Sequence, residues 1–220
     1  MKNAIFMSGP HGSGKTTLIN RLLSEHNIFQ ENDFEIDFTQ EFPSIKTMNH
    51  FECCLLRLYH RLFARKRADE LARNNHDKVI ISSRSIYDSA AYVKSYQEMG
   101  WLTTGQTDRM NFIIGHSGSA PYTIILNPPS KVVKSRLDKR HALGSRKLRD
   151  KIFSYEDTDE FVESMSRSFA AYKGHRNVLY IEDNGDEEIN AIVEWVKSLS
   201  PNSSFPDNEL EDASCLQVAI

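Results

Sequence analysis

The sequence has no apolar run approaching the roughly 18 residues of a membrane-spanning helix, and it has only three cysteines in 220 residues. Cys53 and Cys54 are adjacent inside an apolar helical pattern and Cys215 stands alone near the end, so neither a disulfide framework nor metal-ligand spacing is present. A secretory h-region is lacking too, because only four apolar residues, Ala4 to Met7, precede Ser8-Gly9-Pro10. The expectation is a soluble, intracellular, cytoplasmic protein with no membrane partner. Charge of one sign is also missing. With 27 Lys+Arg against 30 Asp+Glu, the net of -3 offers no global attraction to a nucleic-acid backbone.

What is present is ordinary globular composition, 40% hydrophobic and 26% charged. A chain of this length can bury roughly 70% of its unfolded surface, enough for one sizeable core. Ala4 to Met7 reads as a buried parallel strand, and Lys15 to Glu25 as a helix with Leu18, Leu22 and Leu23 on one face. Alternation at Phe34 to Phe38 predicts the second strand. Apolar residues at 48, 51, 55, 58 and 62 predict a long helix from Met48 to about Arg73. Val79 to Ile81 and Tyr122 to Leu126 follow as strands, with helices near 86–98 and 106–115 between them. After Pro128-Pro129 the pattern gives a helix to about Arg140 and an irregular basic stretch. A helix near 158–172, a fifth strand at Asn177 to Ile181 and a helix near 187–199 complete it. Strands alternating with helices in this way predict a parallel sheet covered on both faces. Residues 201–220 carry four acids and no base and read as a disordered tail, with a docking peptide as the alternative.

Gly9-Pro10-His11-Gly12-Ser13-Gly14-Lys15-Thr16-Thr17 fits G-x-x-x-x-G-K-[ST] in full. Gly9, Gly12, Ser13 and Gly14 let backbone N–H groups turn inward around phosphates, Lys15 reaches the β/γ-phosphates, and the Thr16 hydroxyl is the expected Mg²⁺ ligand. Thr17 continues the helix whose positive dipole end faces the anion. The motif lies between a predicted strand and a predicted helix, the context it requires, and the cofactors it points to are ATP and Mg²⁺. His11 reads as a variable loop position. A GTPase would add Asn-Lys-x-Asp and Asp-x-x-Gly, and neither occurs. A motor would add a strand ending in acids, yet the third and fourth strand runs end in Ser82-Ser83 and Asn127. Small-molecule kinases need little beyond this core, an acceptor pocket and a lid.

Arg84 follows the third strand and so falls at the carboxyl end of the sheet, where open α/β folds bind ligands. A planar, always-charged donor there can neutralise transferring phosphate. The surrounding residues resemble the thymidylate kinase and deoxynucleoside kinase superfamily of P-loop kinases. Arg84, Ser89, Ala91 and Tyr92 are similar to the thymidylate kinase pattern D-R-Y-x-x-S-x-A-Y-Q, and Arg84-Ser85-Ile86-Tyr87 to the R-S-I-Y of deoxynucleoside kinases. Thr39-Gln40-Glu41-Phe42-Pro43 resembles the Glu-Pro element beside the acceptor, and Arg61 the long-helix arginine that faces the substrate phosphate. Two departures stand out: Ser83 replaces the acid before Arg84, and Val93 the Gln after Tyr92. Without that acid, Mg²⁺ is left to Thr16, the nucleotide and water, with Glu41 or Asp37 as further candidates.

The resemblance implies a three-layer α/β P-loop NTPase fold with a five-stranded parallel sheet, over residues 1–200, plus a lid near 140–155. Nine Lys/Arg and two acids between Lys131 and Lys151 fit such a lid, with Arg140 and Arg146 folding over phosphates; a solvated basic face or nucleic-acid patch is the rival. No aromatic platform accompanies the run, so a small enclosed nucleotide is preferred to a long nucleic acid. Asn184-Gly185-Asp186, after the fifth strand, is the turn that the resemblance places against adenine. Phe42, Tyr87, Tyr92 and Tyr96 are candidates for stacking on an acceptor base, though such aromatics also serve as core. The implied activity is Mg-ATP-dependent phosphoryl transfer to a (deoxy)nucleoside monophosphate, most like dTMP, in nucleotide biosynthesis. The alternatives are a deoxynucleoside kinase, with Glu41 as general base for a 5′-hydroxyl, and a regulatory P-loop protein without transfer. The resemblance also implies a homodimer.

Overall fold

The computed structural model describes residues 4–32, 34, 42–144 and 152–199. Its strands are β1 (Ala4–Ser8), β2 (Phe29–Glu31), β3 (Val79–Ser83), β4 (Thr123–Leu126) and β5 (Val178–Ile181). Its helices are α1 (Lys15–Glu25), α2 (His50–Asn74), α3 (Ile86–Glu98), α4 (Thr104–Gly115), α5 (Ser130–Ala142), α6 (Asp159–Ala170) and α7 (Asp186–Ser198). Two 3-10 turns, Pro43–Lys46 and Ser154–Asp157, precede α2 and α6. No described helix is long and apolar enough to cross a membrane.

The strands form one parallel sheet in the order β2-β3-β1-β4-β5. Alternate strand residues feed opposite layers, which is why the strands read as continuous apolar runs. Ile5, Met7, Ile81, Ile124 and Leu126 pack with Leu18 and Leu22 of α1 and Ile192 and Val196 of α7. Ile125 points the other way, into a core built from α2, α3, α4 and α6 around Tyr87, Tyr96, Phe161 and Phe169. Phe6 and Ile80 meet Ala68 of α2 on that side. Each large apolar side chain so buried stabilises the fold by roughly 1.5–3 kcal/mol. The three-layer fold is as expected.

Two expectations are corrected. The second strand of the described sheet is Phe29–Glu31, paired with Val79–Ile81; of the stretch expected to form it, Phe34 is outside any strand, and 35–38 lie outside the described residues. An edge strand of three residues with only Phe29 buried leaves too short a pattern to read. On α2 the buried face is Cys53, Cys54, Arg57, Leu58, Arg61, Ala64 and Ala68, so the apolar stripe expected at 48, 51, 55, 58 and 62 is rotated and carries two arginines.

The switch point beside β1, from which β3 and β4 lie on opposite sides, opens a crevice at the carboxyl ends of the strands.

Candidate active site

The phosphate loop connects β1 to α1, and its turns require glycine. Gly9 has φ +140, and a Cβ there would lie 2.1 Å from the Leu126 carbonyl oxygen of β4. Gly14, at φ +104, immediately precedes the first turn of α1 without any side-chain cap. The N-terminal amides of α1 are therefore left for an anion. Lys15 is buried, and its Nζ donates to the carbonyls of Gly9 (2.8 Å) and Pro10 (2.6 Å) and to Ser13 Oγ (3.3 Å). Phosphate oxygens are stronger acceptors for an ammonium than these neutral groups. Thr16 and Thr17 are exposed on the first turn of α1. An arginine of α5 also reaches the loop: Arg136 donates to the Ser13 carbonyl and lies against Gly14.

Arg84 occupies the next loop of the sheet. Its amide donates to the Met7 carbonyl at 2.7 Å, which extends the β1–β3 ladder to the edge of the phosphate loop. Arg84 has φ +70, the one positive value outside glycine among the described residues, a strained conformation of the sort that gathers at functional sites. Ser85 then starts α3 with a capping box closed by Asp88. Asp88 is fully buried; it accepts from the Ser85 amide and from Arg84 Nη1, both at 2.9 Å. Burial would raise the Asp88 carboxyl, but Arg84, Arg61 and Lys15 outweigh it and hold it below its ordinary value. Counted from Arg84, D-R-Y-x-x-S places its serine at position 88, so the match drawn at Ser89 is one residue out.

Tyr92 is the centre of a second cluster, on the side where an acceptor is expected. Arg57, Arg61 and Arg84 all approach its ring, at 5.0, 5.5 and 5.8 Å. Arg57 pairs with Glu156 at 2.6 Å and bonds the Tyr96 hydroxyl, which in turn donates to Glu156; its guanidinium also lies 4.0 Å from the Phe153 ring centroid. Burial would raise Glu156, yet Arg57 holds it below its usual value. Arg61 bonds Ser89 Oγ at 2.6 Å and has no carboxylate partner among the described residues. Burial accordingly lowers it from 12.5 to about 10, against the opposing pull of Asp88.

The expected residues divide between positions inside and outside this crevice. Gly9, Gly12, Ser13, Gly14, Lys15, Arg61, Arg84 and Tyr92 converge on it. Tyr87 is core: its ring meets Tyr172 at 4.7 Å and its hydroxyl exchanges hydrogen bonds with Asn177. Phe42 is exposed, as is Arg140 on the last turn of α5; the arginine of that helix at the loop is Arg136. Glu41, Arg146 and the rest of 145–151 within the expected lid lie outside the described residues, as does the 201–220 tail. Arg57, Asp88 and Glu156 were not anticipated. The available signal was Arg57 and Arg61 spaced i, i+4 on one helical face among apolar neighbours; for Glu156 there was none.

For Mg²⁺, both oxygens of Asp88 are engaged by protein donors, whereas the Thr16 hydroxyl is exposed beside the phosphate-binding turn. One protein ligand completed by phosphate and water is the arrangement Mg²⁺ favours in nucleotide sites.

A family model described as AAA domain matches residues 4–142. No curated protein matches the sequence. Among solved structures the chain resembles deoxyadenosine kinase from M. mycoides with bound dATP, at 16% identity and a TM-score of 0.63, covering 90% of this chain and 100% of that one. The same kinase with bound dCTP, and with products dCMP and a flexible dCDP, each align at 16% identity and a TM-score of 0.61 over 89% of this chain and 100% of that one. The likeness is one of fold.

Proposed function

The chain belongs to the AAA domain family and has the P-loop nucleoside kinase fold, and from that premise we propose that it transfers the γ-phosphoryl group of ATP to the 5′-hydroxyl of a (deoxy)nucleoside. The carrying observation is the charge balance of the acceptor side. Arg84 is neutralised by Asp88 and Arg57 by Glu156, all four in one buried cluster. Among the described residues only Arg61 has no carboxylate hydrogen-bonded to it, which leaves these described side chains a net of one positive charge against the two negative charges of a monophosphate acceptor. A neutral nucleoside suits that balance. The fold likeness to a nucleoside kinase solved with dCMP as product supports the same class.

In the transfer, an acceptor oxygen attacks the γ-phosphorus, the bond to the β,γ-bridging oxygen breaks, and ADP leaves. Lys15 neutralises the charge that spreads over the γ-oxygens, with Arg136 beside the loop, and Arg84, its charge balanced by Asp88, is a hydrogen-bond donor beside them. Mg²⁺, held by Thr16, would add charge neutralisation across the phosphates. The proton leaving the 5′-hydroxyl goes to a carboxylate, and Glu41 is the candidate base. Tyr92 is buried and ringed by arginines, so it backs the acceptor wall and holds those guanidinium groups in place. The turn at Asn184-Gly185-Asp186 is the candidate adenine contact; it is tied to α1 by Arg21, which bonds the Asn184 carbonyl and Asp186.

Phosphorylation of a nucleoside monophosphate such as dTMP is the second reading, favoured by Arg61: a buried guanidinium with no carboxylate is a ready partner for an acceptor phosphate. Incubation with Mg-ATP and parallel panels of nucleosides and monophosphates, followed by labelled product, separates the two. Product from nucleosides alone is expected; product from monophosphates alone would overturn the first reading. ATP binding with no transfer to any acceptor would leave a regulatory P-loop protein. Glu41→Gln is expected to slow nucleoside phosphorylation by about 10²-fold or more. A role in nucleotide biosynthesis as a cytoplasmic homodimer belongs to the same proposal.

A further inference from the structure

The 3-10 turn Ser154–Asp157 faces two sites at once. Its Glu156 closes on Arg57 and Tyr96 in the acceptor wall, and the residue just before it, Phe153, lies beneath the Arg57 guanidinium. Its last residue, Asp157, turns toward the donor side: Asp157 Oδ1 lies 2.9 Å from His11 Nε2, and the Asp157 carbonyl accepts from Lys134 of α5 at 2.9 Å. Two consecutive acids, one fully buried and one half-buried, thus tie one short turn to both halves of the crevice.

His11 is the third residue of the phosphate loop. The loop's phosphate chemistry is carried by backbone amides and by Lys15, which leaves the side chain at position 11 free for another task. An imidazole presents nitrogens on two edges. Here Nε2 meets Asp157 while Nδ1 lies 3.5 Å from the Tyr92 hydroxyl, and the ring is 6.3 Å from Phe161 at the start of α6. A single side chain of the donor loop therefore touches the acceptor aromatic and the turn that carries Glu156.

We propose that His11 is a positioning residue for the transfer: through Asp157 it fixes the Ser154–Asp157 turn, and through Glu156 that turn holds Arg57 and the acceptor wall in register with the phosphate loop. The inference rests on the kinase reading for its kinetic consequence but not for its structural one. Nothing in the phosphate-binding motif asks for this link.

Four variants test it: His11→Ala, Asp157→Ala, the double variant, and His11→Asn, whose amide can still donate to Asp157. Each alanine variant is expected to raise the acceptor KM about tenfold while the KM for ATP stays within about twofold. The double variant should be no worse than either single, because both break one link, and His11→Asn should recover most of the loss. Effects that multiply, or an ATP KM that rises as much as the acceptor KM, would overturn the link.

Hydrogen exchange with Mg-ATP as the only ligand supplies a readout independent of turnover. ATP should slow exchange of the 154–158 amides in the native protein and leave them unchanged in His11→Ala, with His11→Asn retaining the slowing. Equal slowing in the native protein and His11→Ala overturns the proposal. Loss of the coupling in His11→Ala, in a protein that phosphorylates no acceptor, supports the link and removes the kinase reading alone.

Discussion

The donor and acceptor halves of the crevice are built on different principles. The donor half is a contiguous stretch, residues 9–17, whose chemistry is mostly backbone: positive φ at Gly9, Gly12 and Gly14, uncapped amides at the start of α1, and one lysine. The acceptor half is assembled from side chains of α2, α3 and the 154–157 turn, up to 99 residues apart in the Arg57–Glu156 pair. A backbone site tolerates little change at its few glycines but is indifferent to most side chains. A side-chain site depends on charge pairs that hold only while every partner is present.

Removing the lysine of the donor half should give the largest effect. Lys15→Ala is expected to cut transfer by about 10²–10³-fold or more while circular dichroism shows the helices and sheet retained. Retained turnover would break the comparison at its donor end.

Next comes the acceptor ion pair. Glu156→Ala leaves Arg57 buried and uncompensated and should lower stability by roughly 3–5 kcal/mol in denaturant unfolding. The pH dependence has a definite sign. Asp88 and Glu156 both sit below their ordinary values when folded, so the stability they contribute is complete above the unfolded carboxylate range, near pH 4. It is lost as pH falls from there through their lowered folded values. Glu156→Gln should flatten that acid limb, and an unchanged limb would mean that the pair is not the acid-sensitive element.

Gly9→Ala probes the donor half by its backbone. With a Cβ set 2.1 Å from the Leu126 carbonyl at φ +140, a loss of about 2–4 kcal/mol is expected. Gly144→Ala is the contrast, because a Cβ there meets nothing within 4 Å; it should cost only the strain of its positive φ, about 1 kcal/mol.

The smallest expected effect runs the other way. Arg61→Met removes a buried guanidinium to which no carboxylate hydrogen-bonds among the described residues, so the ligand-free protein should melt roughly 2–4 °C higher while acceptor KM rises. A lower melting point would show that Ser89 and Tyr92 already satisfy Arg61.

How far each half could be read in advance follows from how each is built. The phosphate loop was legible because its glycines, Lys15 and Thr16 are adjacent and their spacing is fixed by a turn. Arg84 was legible from its place after β3. Asp88 was hidden in a helix-capping pattern, where Ser-x-x-Asp has a sufficient local explanation. Arg57 looked like a polar interruption of an apolar stripe, since a sequence pattern cannot tell a solvated arginine from one paired across the core. Tyr87 was misassigned for the same reason: one helix position decides whether an aromatic ring enters the crevice or the core. The edge strand Phe29–Glu31 was too short to register.

By itself, then, the sequence determined the alternation of strands and helices, the parallel sheet and the phosphate loop, because each depends on residues within about one turn or one strand of one another. Only the tertiary structure decided the acceptor side. Whether Arg57, Arg61 and Arg84 face an anion or an acid depends on which distant carboxylate folds against each. That assignment belongs to the packing of α2, α3 and the 154–157 turn, and no spacing along the chain encodes it.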